Sequence, residues 1–401
     1  MHTLRTKKYI SLIAIGILLL LFNRCVEPFM PVLDDNDAVN LLVVEGLITN
    51  QSGPFNVRLT YSVPMYNKWN IEADYMPVEG AEVRIIDDIG NIFMLFETES
   101  GWYETEEKDL EGIPGRTYIL TINTTDGKQY ESSPELMQEV PDINSVYHEE
   151  FSRTYYDEET PYEENRLNIL VDTRVAGDNI AYLKWEFEET WEFEMPGYIE
   201  VAHGTDDESP NPTMENIEVA EEKIHCWVSE SSDLILIKST ADNALNNISG
   251  FLLQSIGGPS DDRLNLKYSI LVKQYMMSRE LYDFFRKIRG SNEETGGIYE
   301  KAPTQIIGNI QCCNGDEEAL GYFMASAVKT KRIFISPDEH EVENGTAYEN
   351  CGWTTYQNYR DRQVYFVYGT YNNGNTVVKT TLEYCTDCRI RGTNVKPDFW
   401  E

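Results

Sequence analysis

From Leu183 to Met195 the chain alternates with a period of two. Leu183, Trp185, Phe187, Trp191, Phe193 and Met195 hold the odd positions, while Lys184, Glu186, Glu188, Glu192 and Glu194 hold the even ones. A period of two belongs to an extended strand with one buried face, whereas a helix would repeat every 3.6 residues. A stretch this long commits its part of the chain to a sheet, as one long strand or a tight hairpin with an aromatic face and an acidic face. Such an aromatic face could stack on sugar rings, but packing into a core is its commoner use.

The same pattern recurs on both sides of this stretch. Leu41 to Ile48 is a compact apolar run ending in the turn signal Asn50-Gln51-Ser52-Gly53-Pro54, after which Phe55, Val57 and Leu59 alternate with polar residues. Val78 to Asp87 repeats the theme before the hairpin signal Asp88-Ile89-Gly90-Asn91, and Gly115 to Ile122 does so before Asp126-Gly127. About six or seven short strands separated by turns over residues 40–138 predict a small β-sandwich of immunoglobulin-like or prealbumin-like type. A hinge-like Val140-Pro141-Asp142 then opens a larger β-rich domain, 139–401, in which residues 203–216 read as a loop. Strand patterns return there at Ile333 to Ile335, Val364 to Tyr371 and Val377 to Tyr384. The fold class expected is therefore mainly β, with one amphipathic helix inserted near 278–290. Ser278 caps that helix, Leu281, Phe284, Phe285 and Ile288 form its apolar stripe, and Gly290 ends it.

The N-terminus carries a separate message. Arg5, Lys7 and Lys8 precede an apolar run from Ile10 to Phe22, and Cys25 follows at once. The run is shorter than the roughly 20 residues of a bilayer-crossing helix and suits a signal peptide over residues 1–24. Cys25 stands where a bacterial lipoprotein carries its acylated cysteine, so residues 25–39 are expected to form a lipidated linker. Asn23 and Arg24 depart from the small residues usual before such a cysteine. An uncleaved anchor helix flanked by Arg24 is the alternative, and it also places the chain at a membrane.

The formal net charge of −35 argues against nucleic acid and against direct binding to an anionic lipid surface. The acids cluster, as at Asp157 to Glu159 and Asp206 to Glu208, but no D-x-D-x-D-G loop is present, and they read as solvated loops. With 25 Tyr, 15 Phe and 7 Trp the chain can build real cores, and tyrosine also suits wet binding surfaces. Setting Cys25 aside leaves Cys226, Cys312, Cys313, Cys351, Cys385 and Cys388, an even number that fits up to three disulfides in an oxidising compartment. The Cys385-Thr386-Asp387-Cys388 spacing also admits zinc or redox chemistry. It follows a strand rather than opening a helix, and the adjacent Cys312 and Cys313 make a poor second ligand pair.

Nucleophile elbows, H-E-x-x-H, phosphate loops and dinucleotide fingerprints are absent from the sequence, so no catalytic residue, metal site or cofactor is assigned. His148-Glu149 lacks a second histidine, and His225 beside Cys226 reads as ordinary packing. Paired carboxylates of a hydrolase remain a minor alternative that spacing alone does not locate.

Several segments together resemble a Bacteroidetes outer-membrane lipoprotein family, the domain of unknown function 4249. They are Cys25 to Phe29, Leu42-Val43-Val44-Glu45-Gly46 with Thr49-Asn50, Pro77 to Val83, Gly115 to Tyr118 and Pro141 to Val146. The later half adds Gly308-Asn309-Ile310, Leu320 to Ser326 and Cys385 to Arg389. The N-terminal part also looks similar to the β-sandwich modules of carboxypeptidase regulatory-like domains. The resemblance implies a non-enzymatic lipoprotein on the cell-surface or periplasmic face of the outer membrane. Its partner would be an outer-membrane β-barrel, a TonB-dependent receptor, and its cargo a glycan or peptide. A structural or adhesive surface protein without a transporter partner is the alternative.

Overall fold

Alternation along the first third of the chain becomes a run of antiparallel strands in the computed structural model. They are β1 (Leu42–Thr49), β2 (Asn56–Tyr61), β3 (Met76–Pro77), β4 (Glu82–Asp87), β5 (Ile92–Glu99), β6 (Trp102–Thr105), β7 (Thr117–Asn123), β8 (Gln129–Ser132) and β9 (Glu135–Leu136). The structure describes residues 41–63, 76–106, 110–157, 160–177, 180–195, 198–203, 213–218, 221–241, 246–259, 261–293, 306–342, 345, 354–355, 366–372, 375–381 and 387–400. Alternate residues point inward, so Val44, Val57, Leu59, Val83, Ile85, Leu120 and Ile122 are each buried. The β4–β5 hairpin closes where expected. Asp87 accepts from the backbone N–H groups of Ile89 and Asn91, and Gly90 supplies the positive φ of +89° that the turn requires.

Past the hinge, β10 (Ile143–Asp157) and β11 (Thr160–Arg174) form a long hairpin, followed by the aromatic strand β12 (Tyr182–Glu194). The alternation from Leu183 is thus one long strand. A short hairpin of β13 (Tyr198–His203) and β14 (Thr213–Glu218) follows, so both ends of the expected 203–216 loop belong to strands. Next come β15 (His225–Ser231), β16 (Leu236–Ser239), β17 (Asn247–Ile256) and β18 (Tyr268–Met276). The helix α1 (Arg279–Glu293) separates these from β19 (Ile310–Cys312), β20 (Ala319–Ser326), β21 (Val328–Ile335), β22 (Thr354–Thr355), β23 (Phe366–Asn372) and β24 (Asn375–Thr381). The fold is mainly β, with a single α-helix among the described residues.

The helix has the expected cap, with Ser278 Oγ accepting from Leu281 N–H at 3.2 Å. Leu281 and Phe284 are buried beside Phe285 and Ile288, against Tyr275, Tyr322 and Met324. Its end differs from expectation, since the helix runs through Gly290 to Glu293. An interior glycine costs only about 1 kcal/mol relative to alanine, and the packed turns before it outweigh that.

The first sheet does not stop at the hinge. Its order is β19-β8-β7-β4-β5-β6-β2-β1-β20, so two strands from the later half complete a sheet begun in the first. β20 lies parallel to β1, with Val44 opposite Gly321 and Thr49 opposite Ser326. A bridge between Gln311 and Glu318 brings the two ends of the strand order together. The hinge itself is pinned, because fully buried Gln274 of β18 donates to the Pro141 carbonyl at 2.7 Å. The same Gln274 carboxamide oxygen accepts from Trp185 Nε1 at 2.9 Å and from Thr173 Oγ1. One buried cluster runs from Leu42 through Val146 and Trp185 to Cys388. The described residues other than Ser62 and Val63 fall into one compact unit that crosses the boundary expected at 138/139. Among them no helix is long and apolar enough to cross a membrane.

The parallel pair tolerates no side chain at its closest points. A Cβ on Gly308 would lie 1.4 Å from the Gly321 carbonyl oxygen, and one on Gly321 would lie 1.9 Å from that of Val44. Gly321 also has φ +88°, a region that L side chains rarely occupy. Gly321→Ala is therefore expected to lower the unfolding free energy by about 3 kcal/mol or more, measured by urea denaturation. Gly90→Ala, whose added Cβ meets nothing within 4 Å, should lose about 1 kcal/mol through its positive φ alone.

Candidate functional site

The odd face of β12 does not stay apolar. Between Phe187 and Trp191 it carries Glu189, a residue only 4 % exposed. A carboxylate in such a place demands paired charge and hydrogen bonds. Arg263 Nη1 supplies both at 3.1 Å and 3.3 Å from the two carboxylate oxygens, and the Tyr268 hydroxyl, itself fully buried, donates to Glu189 Oε1. Arg263 is fixed in turn by Asp261, through Nε at 2.9 Å and Nη2 at 2.6 Å. Asp261 also accepts from Gly257 N–H at 2.9 Å. Burial works against the Asp261 carboxylate, yet Arg263 and this backbone donor more than offset it, and its pKa lies below the ordinary range. Burial and the Glu189 charge push the Tyr268 hydroxyl well above its ordinary value, so it remains a donor.

Asp261 and Arg263 line a cleft of about 620 Å³, with Glu189 and Tyr268 buried behind them. Its walls include Tyr162, Glu164 and Arg166 from the β10–β11 hairpin, Trp191 from β12, the Gly257-Gly258-Pro259 turn, and Arg391 near the C-terminus. Gly258 suits this turn because its φ of +104° lies in a region that L side chains rarely adopt. Arg166 and Glu164 pair at 2.7 Å, and Arg391 Nη2 donates to Asp262 at 2.6 Å while its guanidinium sits 4.9 Å from the Phe193 ring centroid. The wall is thus a lattice of paired charges beside aromatic rings. Trp191 is nearly buried, and its indole N–H has no acceptor among the described residues.

The C-terminal segment that brings Arg391 to the cleft is held by the cysteines. Cys226 of β15 and Cys388 form a disulfide across a sequence separation of 162 residues. Beyond it, Trp227 and Thr393 exchange backbone hydrogen bonds at 2.8 Å and 2.9 Å. The Phe399 ring then stacks under the Arg332 guanidinium at 3.5 Å, and Trp400 meets Phe334 edge-on.

Two other cysteines expected to bond do not, since Cys312 and Cys313 are free thiols. Cys312 ends edge strand β19 and Cys313 lies just past it. Cys351, Cys385 and the acylation candidate Cys25 lie outside the described residues. The C-x-x-C spacing does not act as a unit here, because Cys388 spends its sulfur on Cys226. His225 Nε2 pairs with Glu192 and its ring packs on Trp227. No group of three His, Cys, Asp or Glu side chains among the described residues is placed to hold a metal ion.

Sequence reasoning found the stripe and the bonded cysteines but passed over Glu189, Arg263 and Arg391. The available signal was Glu189 itself, an acid in the odd phase of an otherwise apolar face.

Residues 26–332 match the family model described as Domain of unknown function (DUF4249), and the chain belongs to that family. The matched region ends within β21, so the disulfide-held segment lies beyond it. No curated protein matches the chain.

Closing a loop this long gives the Cys226–Cys388 bond about 5 kcal/mol in the chain-entropy description. Replacing both cysteines by alanine should lower the urea midpoint, whereas replacing Cys312 and Cys313 should leave it within experimental error. Asp261 gives a pH signature. Its depressed pKa stabilises the fold above about pH 4, and that contribution is lost as pH falls through the folded value. Unfolding free energy should therefore drop more steeply between about pH 5 and pH 3 in the wild type than in Asp261→Asn, which starts from a lower value.

Proposed function

We propose that this protein is a non-enzymatic outer-membrane lipoprotein, acylated on Cys25, that serves as an accessory subunit or cargo-binding partner of a TonB-dependent transporter. The observation that carries the binding half is the cleft beside β12. Its carboxylates and guanidiniums are already committed to one another, as in Asp261–Arg263–Glu189 and Asp262–Arg391, which suits holding a polar ligand better than transferring protons during turnover.

The membrane half rests on the first 25 residues, where a basic start and a short apolar run lead to Cys25. A lipid anchor contributes about 0.8 kcal/mol for each buried CH₂, so an acyl chain pair holds a chain of this size at the bilayer. The transporter half is an association by family type and by the abundance of tyrosine, which suits wet protein and glycan surfaces.

Two measurements test the proposal. Membranes solubilised in mild detergent and captured through this protein should yield an outer-membrane β-barrel in stoichiometric amount. Repeated recovery of the protein alone would refute the transporter reading, and loss of adhesion with uptake intact in a deletion strain would favour an adhesive role. Metabolic labelling with palmitate should mark the wild type and leave Cys25→Ala unlabelled. A label that persists in Cys25→Ala would overturn the assignment of the anchor.

A further inference from the structure

On the side of the molecule where α1 begins lies a second cleft of about 590 Å³, unrelated to the β12 site. Its wall is built by the segments that close the first sheet. Glu135 of β9 is 6 % exposed, and its carboxylate accepts from the Tyr322 hydroxyl at 2.6 Å and from Asn309 Nδ2 at 3.1 Å. Asn309 is itself locked, because its carboxamide exchanges two hydrogen bonds with the backbone of Phe323, each at 2.9 Å. The carboxylate is therefore held in one position by donors that cannot turn away.

These donors are neutral. No lysine, arginine or histidine among the described residues pairs with Glu135, in contrast to Glu189, which has Arg263. A buried carboxylate without a cation is an expensive arrangement. Burial pushes the Glu135 carboxyl above its ordinary pKa, while Tyr322 and Asn309 pull it back only in part. Around it the cleft adds Glu280 and Asp283 of α1, the latter already paired with Arg286 at 2.9 Å, and one base, Lys287, which makes no ion pair with Glu135. Phe284 and Tyr322 supply aromatic faces beside these charges, as cation recognition uses.

We propose that this cleft binds an organic ammonium group, with the Glu135 carboxylate as its counter-ion and its alkyl stem lying along the packed pair of Phe284 and Tyr322 rings. A primary amine satisfies the site where a metal ion does not, because its three N–H donors and apolar stem match one carboxylate beside an aromatic pair. The chemistry is shared by a lysyl side chain of a protein partner and by a free aliphatic diamine. Both sources are open to test.

The full chain is titrated with Nα-acetyl-lysine amide and with putrescine, using Nα-acetyl-norleucine amide and 1,4-butanediol as uncharged counterparts. Binding is read by calorimetry and by the shift of the thermal midpoint. At least one amine should bind while its uncharged counterpart does not, and Glu135→Gln should weaken it about tenfold or more. The lysine derivative alone binding identifies a protein side chain as the source, and putrescine alone binding identifies a free diamine. Glu135→Gln keeps the shape and the acceptor oxygen, so it should fold with a thermal midpoint no lower than that of the wild type at neutral pH. If it does not fold, Glu280→Gln, on the exposed start of α1, serves as the second variant and should weaken the amine by a smaller factor. Absence of binding by both amines, equal binding of the uncharged counterparts, or affinity unchanged in these variants would overturn the proposal.

Discussion

The parallel contact between β1 and β20 is the constraint on which the rest of the fold depends. Every other pairing in the first sheet is antiparallel, and several join consecutive strands that a short turn already connects. The β1–β20 pair instead joins residues about as far apart as the sheet allows, from Leu42 opposite Ala319 to Thr49 opposite Ser326. Such a contact carries a large loop-closure penalty, so it must be tight to persist. Tightness comes from glycine, because the Gly308, Gly321 and Val44 backbones approach more closely than any side chain permits. Asn309 then completes the joint by pairing with Phe323 on one side and Glu135 on the other.

The cleft at α1 is lined by this joint, through Gly308, Asn309 and Tyr322, and the β12 cleft is built apart from it. The β12 cleft has an acid on the core face, Glu189, that is neutralised by Arg263 and positioned by Tyr268. The cleft at α1 has a comparable buried acid, Glu135, with only neutral donors. One buried carboxylate thus organises the protein's own charges, and the other is left for a charge from outside. The Cys226–Cys388 bond belongs to the first arrangement, since it holds the C-terminal segment that delivers Arg391 to Asp262 and to the Phe193 ring.

Strand faces were legible in the sequence because burial writes a period of two directly into residue order. Leu183 to Met195 was readable for that reason, and so were the capped start and apolar stripe of α1. Strand partners were not legible, because alternation states which face is buried and is silent about which edge is paired. The two-part division at the Val140-Pro141-Asp142 turn followed from local signals, while β19 and β20 cross it through contacts that no local signal records. The charged cleft was hidden for a related reason. Arg263 looks like an ordinary surface residue until Glu189, out of place in its stripe, is seen to need it, and Arg391 until Asp262 is found beside it. The cysteines were legible as disulfide formers but not in their pairing, since Cys388 bonds to a residue far away in sequence.

If the β1–β20 pair joins the halves into one cooperative unit, their amides must open together. Native-state hydrogen exchange resolves this residue by residue, because amides that exchange only by global unfolding report one common free energy. The amides of Val44 and Ile48 in β1 and of Phe323 and Ala325 in β20 should share one opening free energy, within about 0.5 kcal/mol, close to that of global unfolding. Protection that persists in β1, β2 and β7 after β20 has exchanged would contradict the account and restore two independently folding halves.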